Sequence, residues 1–159
     1  MPSPVGKFLT IGTDSELHFT AFAATEPFKI QAEWRHDAAP LLYAISPLER
    51  YFAGEAAEFD IAISPSGTEF QLSVWQALCG IKYGETASYG DIAAKIGNKG
   101  ASRAVGRANN ANPIPIIIPC HRIIGADGSM TGFGGGIKNK KILLQLEGIT
   151  IPAEQLTLI

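Results

Sequence analysis

The chain has 159 residues, 46% of them hydrophobic, and a formal net charge of −2. That length and apolar content bury a core without metal or disulfide support, so a globular protein is expected and a disulfide-stapled miniprotein is excluded. Two cysteines and three histidines without ligand spacing exclude a structural zinc motif, no metal or cofactor is expected, and the want of a secretory pattern or membrane-length apolar run points to a cytoplasmic protein with free thiols.

The charge is unevenly spread. Residues 1–67 hold four Lys/Arg against nine Asp/Glu, a net −5, whereas residues 68–148 hold nine against five, a net +4. The second half suits a polyanion, although scattered bases also make an ordinary solvated surface.

In chain order, the first ~30 residues alternate loosely around the turn-prone Gly12-Thr13-Asp14-Ser15, which predicts a hairpin or meander. Pro47 to Ala53 reads as a short helix with Ser46 as N-cap, Pro47 at its first position and Gly54 ending it. Phe59 to Ile63 returns to strand-like alternation. After Gly67 the period becomes helical: Thr68 and Gln71 have capping-box spacing, Phe70, Val74, Trp75 and Leu78 share a face, and Gly80 closes the helix. Cys79, beside that face, is expected in the core.

A second helix runs from Ser88, with Asp91 in its first turn, to Gly97, and a third from Ala101 to Asn110, joined by the turn at Asn98-Lys99-Gly100. Two short helices across a glycine-containing turn fit a helix-turn-helix at about 88–110. Ala101, Ser102, Ala104, Gly106 and Ala108 are all small, with Arg103 and Arg107 projecting. Such a helix suits close approach to a narrow groove, or equally tight packing against another helix.

Asn112-Pro113 opens an apolar run, Ile114 to Ile118, that leads into Pro119-Cys120-His121-Arg122. A thiol beside an imidazole is a candidate nucleophile, because a neighbouring base supplies the thiolate; a plain core cysteine is the bland alternative. Gly132 to Gly136 is a glycine-dense loop around Phe133, and a last helix spans Ile137 to Leu146. Glu147 then sits at the negative end of a helix dipole, where a base is preferred, so it needs a partner such as His121 or is simply solvated.

The ordered set Tyr83-Gly84-Glu85-Thr86, Ser88-Tyr89-Gly90-Asp91-Ile92-Ala93, Ser102-Arg103-Ala104-Val105-Gly106, Asn112-Pro113 and Ile118-Pro119-Cys120-His121-Arg122 resembles the O6-alkylguanine-DNA alkyltransferases, the methylated-DNA–protein-cysteine methyltransferases. The resemblance implies an α+β fold, with a ribonuclease-H-like domain at 1–67 and an alkyltransferase domain at 68–159. It implies DNA repair by a single irreversible displacement, in which Cys120 takes the alkyl group from O6-alkylguanine in a flipped nucleotide, with O4-alkylthymine left open. His121, acting through a water, deprotonates Cys120 while Glu147 holds the imidazole, and Asn112 braces the turn around the site. Tyr89, Pro115, Ile123, Phe133, Gly134 and Lys140 serve the base pocket. Arg103 replaces the extruded base, with Ala101, Ser102, Ala104, Gly106 and Arg107 at the DNA minor groove. Phe133, Gly134, Arg107 and Asn109 depart from residues common in better-known members. Arg122 is expected to be structural, bridging to the acidic first half, and the protein a monomer. The rivals are a non-catalytic lesion-binding relative, a helix-turn-helix regulator and a turnover cysteine hydrolase.

Overall fold

A computed structural model describes residues 1–22, 33–55 and 58–152. The parts of the expected meander beyond residue 22 and the last seven residues of the expected second domain lie outside these. The first half holds an antiparallel meander of β1 (Pro2–Ser3), β2 (Gly6–Gly12) and β3 (Leu17–Phe22), with a register shift at Ile11/Gly12. Phe8 and Phe22 meet edge to face across the β2–β3 pair, with Phe52 against Phe8, which anchors the sheet on the helix that follows.

That helix, α1, spans Leu42–Phe52 and begins five residues earlier than its sequence suggests, so Pro47 lies inside it. A proline there costs one hydrogen bond. Ala44, Leu48, Tyr51 and Phe52 all become buried, a stripe at helical spacing whose burial outweighs that loss. Gly54, with φ of +78°, ends the helix. The strand expected over Phe59–Ile63 is absent: Leu17 pairs with Ile63 only as a single bridge, through its N–H to the Ala62 carbonyl and its own carbonyl to the Ser64 N–H. The alternation there marks an extended segment edging the sheet.

In the second half, α2 (Glu69–Leu78) and α3 (Tyr89–Lys95) start at reciprocal capping boxes, Thr68 with Gln71 and Ser88 with Asp91. Cys79 is the C-cap of α2 and is exposed, not in the core; one step past Leu78 turns it away from the buried face. The second helix of the expected pair is α4 (Ser102–Asn110), which buries Val105, Ala108 and Asn109. The Trp75 indole of α2 donates to the Ala108 carbonyl at 2.8 Å, fixing α4 against α2. A two-stranded parallel pair, β4 (Ala87–Ser88) with β5 (Ile123–Ile124), ties the start of α3 to the end of the cysteine segment. The last helix, α5 (Ile137–Leu146), begins at Gly136, whose φ of +85° favours glycine, and delivers Glu147 at its end.

Candidate active site

The segment after α4 carries the thiol, and every residue from Ile114 to Ile123 is buried. A buried irregular segment must satisfy its peptide groups, and Asn112 does much of this. Its Oδ1 accepts from the Ile114 N–H at 2.9 Å and its Nδ2 donates to the Ile118 carbonyl at 2.8 Å, clamping both ends of a loop in which Ile116 takes φ of +79°. A β-branched residue in that region is strained and persists only where its surroundings hold it. From the other side, β3 clamps the same loop: the Thr20 N–H donates to the Pro113 carbonyl and its Oγ1 to the Pro115 carbonyl, each at 2.9 Å.

Cys120 to Arg122 then form one turn of 3-10 helix. Cys120, 3% exposed, is on the wall of a cavity of about 210 Å³. Pro115, Phe133 and Gly134 share that wall with Asn109, Asn112 and, from the first half, Phe22. Gly135 is confined there, since a Cβ would come within 2.6 Å of the Phe22 and Phe133 rings. Ile123, Lys140 and Tyr89 lie outside this lining. Ile123 is fully buried, and Lys140, equally buried, donates from Nζ to the Ile123 carbonyl and, at 2.7 Å, to that of Thr131. Lys140 therefore anchors the two segments that border the cavity. The Tyr89 hydroxyl donates to the Thr131 carbonyl at 3.2 Å and lies beside Gly132 of the glycine loop, while its ring faces Gly106 of α4.

Behind the thiol is a buried polar cluster. His121 Nε2 lies 2.7 Å from Glu147 Oε1, and both residues are almost fully buried. Arg122 donates to Glu147 from Nε at 2.8 Å and from the guanidinium tip at 3.0 Å, and also caps the Ile81 carbonyl. Its partner is thus the end of α5, not the acidic first half. The bridge from that half is Tyr51 of α1, whose hydroxyl donates to Glu147 Oε1 at 2.7 Å and lies 3.3 Å from His121 Nε2. A carboxylate only accepts, so His121 Nε2 must carry a proton, which leaves Nδ1 of the neutral ring as a base. That Nδ1 is buried with no hydrogen-bond partner.

The charges follow from this geometry. Burial alone would raise the Glu147 carboxyl, but hydrogen bonds from His121, Arg122 and Tyr51 hold it at about 2, firmly ionised. Burial lowers the His121 pKa against the pull of Glu147, keeping the ring neutral. Burial pushes the Cys120 thiol up to about 11, partly offset by a hydrogen bond from Asn112 and by the Lys140 charge. The resting thiol is therefore protonated and needs a base at the moment of reaction. Burial also brings Lys140 down to about 8.

On the outer side of the site, Arg103 and Arg107 of α4 are exposed one turn apart, while Ala101, Ser102, Ala104 and Gly106 are partly covered. Tyr51, Thr20, Phe22 and Asn109 have no local sequence signal for their places at the site. The first three reach it from a distant part of the chain, and Asn109, which donates weakly to the Cys120 carbonyl at 3.4 Å, reads in sequence only as a helix residue. Among the described residues no group of three His, Cys, Asp or Glu could hold a metal ion, and no helix is long and apolar enough to cross a membrane.

Two family models match the chain: 6-O-methylguanine DNA methyltransferase, ribonuclease-like domain, over residues 1–65, and 6-O-methylguanine DNA methyltransferase, DNA binding domain, over residues 69–149. The methylated-DNA–protein-cysteine methyltransferase of Methanosarcina acetivorans is 49% identical over 147 residues, covering 92% of this chain and 94% of that one. That of Mycobacterium tuberculosis is 48% identical over 152 residues, covering 96% and 92%. The crystal structure of Mycobacterium tuberculosis OGT in complex with DNA superposes with a TM-score of 0.87 at 47% identity, covering 97% of this chain and 94% of that one. With both halves matched and the cysteine, histidine and glutamate of the motif gathered at one buried site, the chain belongs to the methylated-DNA–protein-cysteine methyltransferase family.

Proposed function

We propose that this chain repairs DNA by transferring the alkyl group from O6 of an alkylated guanine directly to Sγ of Cys120. The observation that carries the reading is a thiol on a cavity wall, protonated at rest, backed by a neutral histidine whose other nitrogen is bound to an ionised glutamate. In the reaction the Sγ–carbon bond forms as the carbon–O6 bond breaks. The thiol proton passes through a bridging water to His121 Nδ1, and Glu147 stabilises the imidazolium that results. The departing guanine takes a proton from the Tyr89 hydroxyl, which must first leave its resting bond to Thr131; the phenolate regains a proton from solvent as the His121 imidazolium releases its own, so no net charge is left behind. A thioether has no easy leaving reaction, so each chain reacts once.

O6 is out of reach of a thiol inside a stacked duplex, so the nucleotide is turned out into the cavity. The exposed pair Arg103 and Arg107 on a helix of small residues supports docking of α4 in the minor groove, with Arg103 filling the gap left in the stack. Pro115, Phe133 and Gly134 surround the base, and Lys140 and Ile123 support that wall from outside the cavity. The protein acts as a monomer, and its two free thiols suit the reducing cytoplasm. The non-catalytic alternative falls, since close relatives are methyltransferases that act on a protein cysteine and Cys120 is in place.

Intact-protein and peptide mass spectrometry after incubation with excess O6-methylguanine duplex tests this. The expected result is one methyl on the Cys120 peptide, saturating at one per chain, with Cys120→Ser still binding the duplex but gaining no mass. More than one product equivalent per chain would point to a turnover hydrolase, and an unmodified thiol would overturn the reading.

A further inference from the structure

Glu147 accepts from more groups than the transfer reaction calls for, and one of them comes from far away in the chain. Tyr51 is separated from it by 96 residues, yet the 2.7 Å bond from its hydroxyl ends on Oε1, the same oxygen that takes the His121 Nε2 proton. The hydroxyl is buried with the rest of the cluster, and the ring is wedged among Phe52, Phe59, Tyr83 and His121, with centroids 5.3 to 6.5 Å apart. Nothing in that packing needs an oxygen on the ring. A phenylalanine would fill the space and meet the same neighbours.

We infer that Tyr51 is a positioning residue of the alkyl-transfer relay, whose hydroxyl aims Glu147 Oε1 at His121 and sets how strongly the carboxylate draws on the imidazole. The inference rests on the alkyl-transfer reading above. Three donors share that oxygen, Tyr51, His121 and, at 3.0 Å, the tip of the Arg122 guanidinium, and each takes part of its charge. The tyrosine thus tempers the carboxylate's pull on the Nε2 proton and fixes its direction, so that Nδ1 is left weakly basic and oriented. The other charged or titratable groups around His121 are Arg122 on its own turn, Lys140 from α5, Cys120 beside it and Tyr83 at the Tyr51 ring edge. Arg122 and Lys140 both disfavour the imidazolium, and Glu147 is the group that favours it. The donor count on Oε1 therefore bears directly on the histidine. Tyr51 is itself held neutral, because burial and the Glu147 charge push its own ionisation far up, so it serves as a donor across the working pH range.

The test is the pH profile of methyl transfer from an O6-methylguanine duplex, followed by the mass change on Cys120, for the full chain and Tyr51→Phe. Removing the hydroxyl leaves Oε1 with a stronger hold on the Nε2 proton and makes His121 more basic. The acid limb of the profile then moves to higher pH, and the plateau rate falls about tenfold, the usual scale for one hydrogen bond to a charged group. Site-specific 3-fluorotyrosine at position 51 keeps the ring and hydroxyl but donates more strongly, so its acid limb moves to lower pH. Opposite shifts establish the role, and the fluorinated protein carries the test if Tyr51→Phe fails to fold. An unmoved acid limb in the variants that fold overturns the inference and reduces Tyr51 to packing. Absence of methyl transfer in the unaltered chain would instead sink the alkyl-transfer reading itself.

Discussion

Glu147 is the residue on which the site depends most. It sits 4% exposed at the wrong end of a helix dipole, ionised, with donors from α1, the cysteine turn and the chain before α3. Its folded pKa of about 2 lies below the ordinary value of 4.5. Its contribution is therefore fully present above pH 4.5 and is lost as pH falls toward 2. That shift corresponds to on the order of 3 kcal/mol, so acid unfolding of the intact protein should begin below about pH 4.5. Glu147→Gln should flatten this part of the stability curve while costing about 3–5 kcal/mol at neutral pH, because it strands the buried Arg122 charge. Urea melts of both proteins between pH 3 and 7 read the two effects together. The His121–Glu147 pair was legible in the sequence because an acid at a helix C-terminus is a local misfit that asks for a cation or donor. Tyr51 was not, since no pattern inside α1 records what its hydroxyl meets 96 residues later.

Among the elements, those with a local start signal were readable and those shaped by distant packing were not. The capping boxes of α2 and α3 mark their own first turns, and Gly136 marks that of α5. The early start of α1 depends on Ala44 and Leu48 finding a core, which a proline at position 47 conceals. Likewise, the irregular run from Ile114 to Pro119 is held by Asn112 and Thr20, contacts that its plain apolar sequence does not record. Under the proposed function the element that meets DNA is α4. Arg103 stands exposed at its N-terminal end, away from the buried Val105, Ala108 and Asn109. Arg103→Ala should slow repair of a duplex lesion about tenfold, equal to about 1.4 kcal/mol of the few that base extrusion costs. Its reaction with free O6-benzylguanine, which needs no extrusion, should be nearly unchanged. Equal losses on the two substrates would remove Arg103 from the base-flipping step.

Over the whole molecule, the opposite charges of the two sequence halves, −5 over residues 1–67 and +4 over residues 68–148, bias its approach to DNA. A polyanion attracts the second half and repels the first, which favours encounters that present α4. Binding to undamaged duplex should weaken steeply with added salt, and Arg107→Ala should reduce the slope of log K against log salt by about 1. Fluorescence anisotropy between 50 and 200 mM salt measures that slope; no change would take Arg107 away from the phosphates. The halves also meet inside the protein, and the chain order of the buried cluster matters for synthesis. Tyr51 is made first, Cys120 and His121 follow, and Glu147 comes last, one position beyond the end of α5. A nascent chain still lacking α5 holds its cysteine and histidine with no acid to orient the ring. Under the proposed function the relay is thus complete only once Glu147 has been made, and until the fold closes Cys120 also lacks the burial that keeps its thiol protonated.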